Sequence, residues 1–103
     1  MTENCLSWDD LAETISPNGV GKRTLAAEHA TLVRITVPAG TSASRHSDPH
    51  EQVVQVISGS GRLETAQGHR DFGPGSLFQF RAEVWHAAVF DTETVLVEVN
   101  LKP

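Results

Sequence analysis

Seven consecutive residues, His46-Ser-Asp48-Pro-His50-Glu-Gln52, hold two imidazoles, two carboxylates and an amide, directly ahead of the apolar run Val53-Val-Gln-Val-Ile57. Side chains of these types can ligate a divalent ion or move a proton, and such density at the mouth of a strand implies chemistry. Further along, Gly73-Pro-Gly75-Ser-Leu-Phe78-Gln-Phe80 leads to Trp85-His86, again joining a glycine turn, a β run and a histidine. Two segments of this kind point to one shared site inside a β-barrel.

In an extended chain alternate residues face the same way, so His46, Asp48, His50 and Gln52 share a parity. A straight strand cannot bring them to one ion. Six residues at ~3.3 Å each span roughly 20 Å, whereas donors bonded to one metal at about 2.1 Å lie only a few ångströms apart. The chain must fold back near Pro49, which restricts Asp48 and cannot donate a ladder hydrogen bond. His46 then sits on one strand and Gln52 on the next, with His86 approaching from a neighbour.

The elements that would position these groups read mostly as strands. Ser7 to Ile15 predicts a short helical turn, with Ser7 as cap, Asp9 and Asp10 in the first turn, and Trp8, Leu11 and Ile15 on one face. Ser16-Pro17-Asn18-Gly19 ends it. Thr31 to Val37 then places Val33, Ile35 and Val37 on one face. Val53 to Ile57 is nearly continuous and reads as a strand buried on both faces. Ser58-Gly59-Ser60-Gly61 and Gln67-Gly68 reverse the chain around Arg62–Thr65. Leu77–Phe80, Ala87–Phe90 and Thr94–Leu101 complete the set. Short alternating strands with glycine turns and almost no helix predict a sandwich or barrel.

With those residues in place, the sequence resembles a small single-domain cupin of the RmlC-like superfamily, over roughly residues 20–101. The first cupin motif is a glycine, five residues, His-x-His, three or four residues, Glu, six residues and a glycine. Here it is met by Gly40, His46, Asp48, Gln52 and Gly59, with Asp48 replacing the second histidine and Gln52 the glutamate. The second motif begins at Gly75 and supplies His86, with Arg81 in place of its proline and Phe90 in place of its asparagine. The resemblance implies an all-β antiparallel jelly-roll (double-stranded β-helix) barrel with at most one or two short helices. It also implies one cupin domain over residues 1–103, with residues 1–19 as an N-terminal extension. Carried over residue by residue, the family metal site would comprise His46, Asp48, Gln52 and His86, with His50 as a possible substitute ligand. Two imidazoles and a carboxylate suit a divalent ion such as Fe, Mn, Ni or Zn, and Gln52 adds a carbonyl oxygen.

Phe78, Phe80, Ala88 and Phe90 share a parity with His86 and are expected to line an apolar pocket around a polar floor, with Trp85 at its mouth. Glu51 as a general base, and Gln55 and Arg62 as contacts to a polar substrate, are weaker assignments. His29 and His69 are expected to be exposed. The formal net charge is -5, and no stripe of Lys and Arg forms, which excludes nucleic acid and anionic membranes as expected partners. No apolar run reaches bilayer-spanning length. The single cysteine, Cys5, permits no internal disulfide and fits a reducing compartment, so a cytoplasmic location is expected. Apolar positions outside the interior parity, Val53 and Ile57 among them, lead to the expectation of a homodimer. The functional expectation is a metal-dependent enzyme acting on a modest polar metabolite, of isomerase, lyase or dioxygenase type. Cupins with a similar Pro-His-Glu-Gln segment include small pectin-degradation proteins that help open unsaturated uronate rings. The alternative is a ligand-binding or sensing cupin without turnover and with an eroded metal site.

Overall fold

The computed structural model describes residues 4–102. Ten strands carry the described chain: β1 (Glu13–Ile15), β2 (Gly21–Ala26), β3 (Ala30–Val37), β4 (Ser42–His46), β5 (Gln52–Ser58), β6 (Gly61–Thr65), β7 (Gly68–Phe72), β8 (Leu77–Phe80), β9 (His86–Phe90) and β10 (Thr94–Leu101). A six-stranded sheet runs β1-β2-β3-β10-β5-β8 and a four-stranded sheet runs β4-β9-β6-β7. Every pairing is antiparallel. The two sheets close into the expected jelly-roll barrel.

Its core lies between the sheets. Val33, Ile35 and Val37 from β3 and Val54 and Val56 from β5 meet Phe72, Phe80, Phe90 and Leu96. Phe72 stands edge-on to Phe78 at 5.4 Å and to Phe90 at 5.7 Å. Burying such side chains contributes about 1.5–3 kcal/mol each. The turn before β6 needs its glycine: Gly59 has φ +97°, and a Cβ there would press on Thr94 and the Glu93 carbonyl.

Three expectations change. The helical turn expected over 7–15 is confined to a 3-10 turn at Trp8–Asp10, whose Asp10 carboxylate accepts the Ser7 N–H at 2.8 Å. Glu13–Ile15 instead pairs with β2, where backbone ladder bonds outcompete a helix too short to propagate. Ile15 is left 66% exposed. The run Val53–Ile57 is covered on one face only: Val54 and Val56 are buried while Val53 and Ile57 point outwards. Finally, β2 and β4 add strands that the apolar pattern does not announce.

Candidate metal centre

His46 ends β4 and His86 begins β9, and the two are direct cross-strand partners beyond a bulge after Ala43. Their rings lie 4.2 Å apart, centroid to centroid, at 66°. His46 is exposed at the barrel mouth and His86 is buried. The His46 Nδ1 lies 2.9 Å from the Ser44 carbonyl and the His86 Nδ1 3.4 Å from the Val84 carbonyl. A carbonyl can only accept, so in each ring Nδ1 is the donor of this contact, which leaves Nε2 as the nitrogen available to an ion. Phe80 stacks flat on His86 at 3.8 Å and 4°, which fixes that ring's plane. Desolvation, and then the charge of His46, lower the His86 pKa below 6.5. The buried imidazole is thereby held in its neutral, ligating form.

The expected fold-back takes the chain across the barrel, from β4 in one sheet to β5 in the other. Two backbone bonds pin it: Glu83 N–H donates to the Asp48 carbonyl at 2.8 Å, and Leu101 N–H to the Glu51 carbonyl at 3.0 Å. Asp48 is thereby carried to the histidines. Donor atoms of His46, Asp48 and His86 all lie within 4.8 Å of one another. Donors at ~2.1 Å from one ion sit at most ~4.2 Å apart, so small side-chain rotations close the set. His50 lines the neighbouring cavity but does not join this group.

Gln52 is buried, 6% exposed. Its Nε2 donates to Asn100 Oδ1 at 2.7 Å and to Glu98 Oε1 at 3.3 Å. Asn100 Nδ2 in turn donates to Glu98 Oε2 at 3.3 Å. The Gln52 Oε1 is the one buried side-chain polar atom among the described residues with no hydrogen-bond partner. A buried carbonyl left without a donor costs roughly 1–3 kcal/mol, and a cation satisfies it. Two Nε2 lone pairs, a carboxylate and an orphaned amide oxygen therefore fit a divalent first-row ion. Burial raises the Glu98 pKa, opposed by the Asn100 bond and the charge of Lys22.

These groups open into a cavity of about 760 Å³. Phe78, Phe80, Ala88 and Phe90 line it, together with Val54 and Leu96. Trp85 does not: its ring lies beneath the Arg45 guanidinium, 4.1 Å from the centroid, where cation–π attraction holds it on the outer side. Glu51 accepts from Gln79 Nε2 at 3.2 Å and Arg62 pairs with Asp71 at 3.2 Å. Neither they nor Gln55 line the cavity. His29 and His69 are exposed beside Glu28 and Glu64. Missing from the sequence reading are Glu98, Asn100 and Lys22, all on the cavity wall. Their signal was parity: on β10 the polar residues share the inward face with Leu96, while Val95, Val97 and Val99 face out.

A family model described as "Cupin domain" matches residues 33–100, and the chain belongs to that family. The barrel resembles an RmlC-like cupin from Shewanella frigidimarina, at 19% identity and TM-score 0.88, covering 99% of this chain and 93% of that one. KdgF from Halomonas sp. is similar at 19% identity and TM-score 0.78, with 92% of each chain covered. Ectoine synthase from P. lautus matches at 19% identity and TM-score 0.83, over 96% of this chain and 78% of that one. At such identities the likeness establishes the fold alone. No curated protein matches the sequence. No helix among the described residues is long and apolar enough to cross a membrane.

Proposed function

We propose that this cupin is a metal-dependent enzyme acting on a small polar metabolite held in the barrel cavity. The observation that carries this reading is the convergence of His46, Asp48 and His86 within 4.8 Å at the wall of a cavity that holds far more than an ion. Gln52 Oε1 supplies a fourth donor. An ion bound there would act as a Lewis acid, polarising a carbonyl or hydroxyl of the substrate. The remaining residues bind and orient. Phe78, Phe80, Phe90 and Leu96 form an apolar wall that excludes water from the reacting face. Lys22 lines the cavity without an ion pair among the described residues, and favours a metabolite bearing a carboxylate or other anionic group.

Metal analysis of protein purified without chelator tests the site, followed by a turnover screen of isomerase, lyase and dioxygenase reactions with Fe, Mn, Ni and Zn. Stoichiometric metal without turnover would favour the sensing alternative; absence of metal in both wild type and reconstituted protein would overturn the reading. We also propose a homodimer formed through the outer face of the six-stranded sheet. There Val53 and Ile57 are 37% and 46% exposed, and Val53 pairs with Val99 of β10. A monomeric mass by light scattering at micromolar concentration would remove that claim. The chemistry proposed here is suited to a cytoplasmic enzyme handling a soluble metabolite.

A further inference from the structure

We propose that Glu98 and Asn100 are positioning residues, holding the Gln52 amide by its nitrogen so that its carbonyl oxygen is the fourth donor to an ion at His46, Asp48 and His86. This rests on the metal reading above and deepens it, by naming what decides which end of a near-symmetric side chain meets the ion.

The two ends of a glutamine amide are nearly alike in shape and opposite in chemistry: the nitrogen only donates, the oxygen only accepts. Packing alone cannot choose between them, so the partners must. Here both partners present acceptors. Glu98 offers one carboxylate oxygen to Gln52 Nε2 at 3.3 Å and the other to Asn100 Nδ2 at 3.3 Å. That second bond commits Asn100 to turn its own oxygen toward Gln52, which it meets at 2.7 Å. Reversing the Gln52 amide would set its oxygen against two acceptors and turn an NH₂ toward the ion. The clamp therefore leaves Oε1 as the unpartnered buried atom. Register puts Gln52 on the same cavity wall as the histidines. Gln52 pairs across strands with Phe80, and the Phe80 ring stacks on His86 at 3.8 Å. Glu98 and Asn100 reach Gln52 from β10, where Asn100 is its cross-strand partner. Three inward-facing polar groups on two adjacent strands thus form one set, in which both amide nitrogens have acceptors and one oxygen, Gln52 Oε1, is left over.

A double-mutant cycle read by Zn(II) affinity, in competition with a chromophoric chelator, tests the clamp. Full-length wild type, Gln52→Leu, Asn100→Leu, Glu98→Leu and the two doubles containing Gln52→Leu are compared, each checked for an unchanged fold by thermal unfolding without metal. Losing an outer-shell partner typically weakens metal binding by about 10–100-fold, and that loss is expected for Asn100→Leu. In the presence of Gln52→Leu, Asn100→Leu should cost nothing further, because two residues acting through one contact are not additive. Glu98→Leu also removes a charge, so part of its effect should persist in the double variant. As a second signature, the visible bands of Co(II)-loaded protein should shift alike in Gln52→Leu and Asn100→Leu. Additive losses, or Co(II) bands untouched by Asn100→Leu, would overturn the clamp while leaving the metal site standing. If Asn100→Leu does not fold, Glu98→Leu is read by the same bands, and unmoved bands there overturn it equally. Failure of wild type to bind Zn(II) any better than His46→Ala would overturn the metal reading, and the clamp with it.

Discussion

Along β10 the inward-facing side chains run from Thr94 and Leu96, 0% and 8% exposed, to Glu98 and Asn100, which line the cavity beside Gln52. The same gradient repeats on β5, from Val56 through Val54 to Gln52, and on β9, from Phe90 through Ala88 to His86. One end of the barrel interior is closed by apolar packing, and the other is open and built of metal-ligating and hydrogen-bonding groups. The strands are continuous across both ends, so their ladders cannot account for the difference. It lies in which side chain occupies each inward position. The closed end provides the apolar burial that holds the fold, while the open end carries polar groups that cost stability unless something binds them.

Breaking each end separately should give opposite outcomes. Phe90→Ala removes a buried ring that touches Phe72 edge-on at 5.7 Å. A loss of about 3–5 kcal/mol is expected, seen as a fall in thermal midpoint of roughly 12 °C or more. Asp48→Ala should leave the metal-free midpoint within about 4 °C, as an incompletely buried substitution does, yet sharply lower metal per chain. Asp48→His should retain binding and shift preference toward ions that favour nitrogen. Equal metal content in wild type and Asp48→Ala would show that Asp48 is not a ligand, and the contrast between the ends would then rest on the histidines and Gln52.

The closed end was the more legible in the sequence. Val33, Ile35 and Val37, the three inward phenylalanines of β8 and β9, and the glycine turns all announce themselves through period-two alternation. The open end was legible only where spacing carried it, at His46, Asp48, Gln52 and His86. Strand β2 was not seen, and β4 was reached only through the fold-back that puts His46 on a strand, because Lys22-Arg-Thr and Ser42-Ala-Ser-Arg-His46 lack the alternating apolar pattern. Lys22 and His46 face the cavity, where nothing selects them to be apolar, and in these two strands only Ala43 packs against the core. Glu98 and Asn100 alternate along β10 with Val95, Val97 and Val99, and the alternation by itself does not say which set faces in. On that strand the apolar set of Val95, Val97 and Val99 is the one facing out. Polarity inverted relative to the usual rule is itself the mark of the site.

His86 belongs to the open end, stacked on Phe80 and facing His46, and pH should expose that position. Desolvation, then the charge of His46, lower its pKa below 6.5. Between that lowered folded value and 6.5 the unfolded chain binds a proton that the folded chain does not, so acid favours unfolding. The His86 contribution is therefore present in full above pH 6.5 and is lost as pH falls toward the folded value. Metal-free wild type should lose thermal midpoint on going from about pH 7 to about pH 5.5. His86→Leu should flatten that part of the profile. A profile unchanged by His86→Leu would mean that other groups carry the acid sensitivity.

The smallest effect is expected at Glu83, where the turn feeding His86 takes a left-handed conformation at φ +68°. A positive φ of this size favours glycine, which carries no Cβ. Holding an L-residue there costs about 1–2 kcal/mol. Glycine would relieve that but would add about 0.4–1 kcal/mol of freedom to the unfolded chain. The net gain for Glu83→Gly is thus about 0.5–1 kcal/mol, a rise of a few degrees in midpoint. The bond from the residue-83 N–H to the Asp48 carbonyl, 2.8 Å long, needs only backbone and should survive, leaving Zn(II) affinity unchanged. A fall in midpoint would mean that the Glu83 side chain supports the turn. A loss of Zn(II) affinity at unchanged midpoint would mean that the stiffness of this turn, beyond its hydrogen bond, is what keeps Asp48 within reach of the histidines.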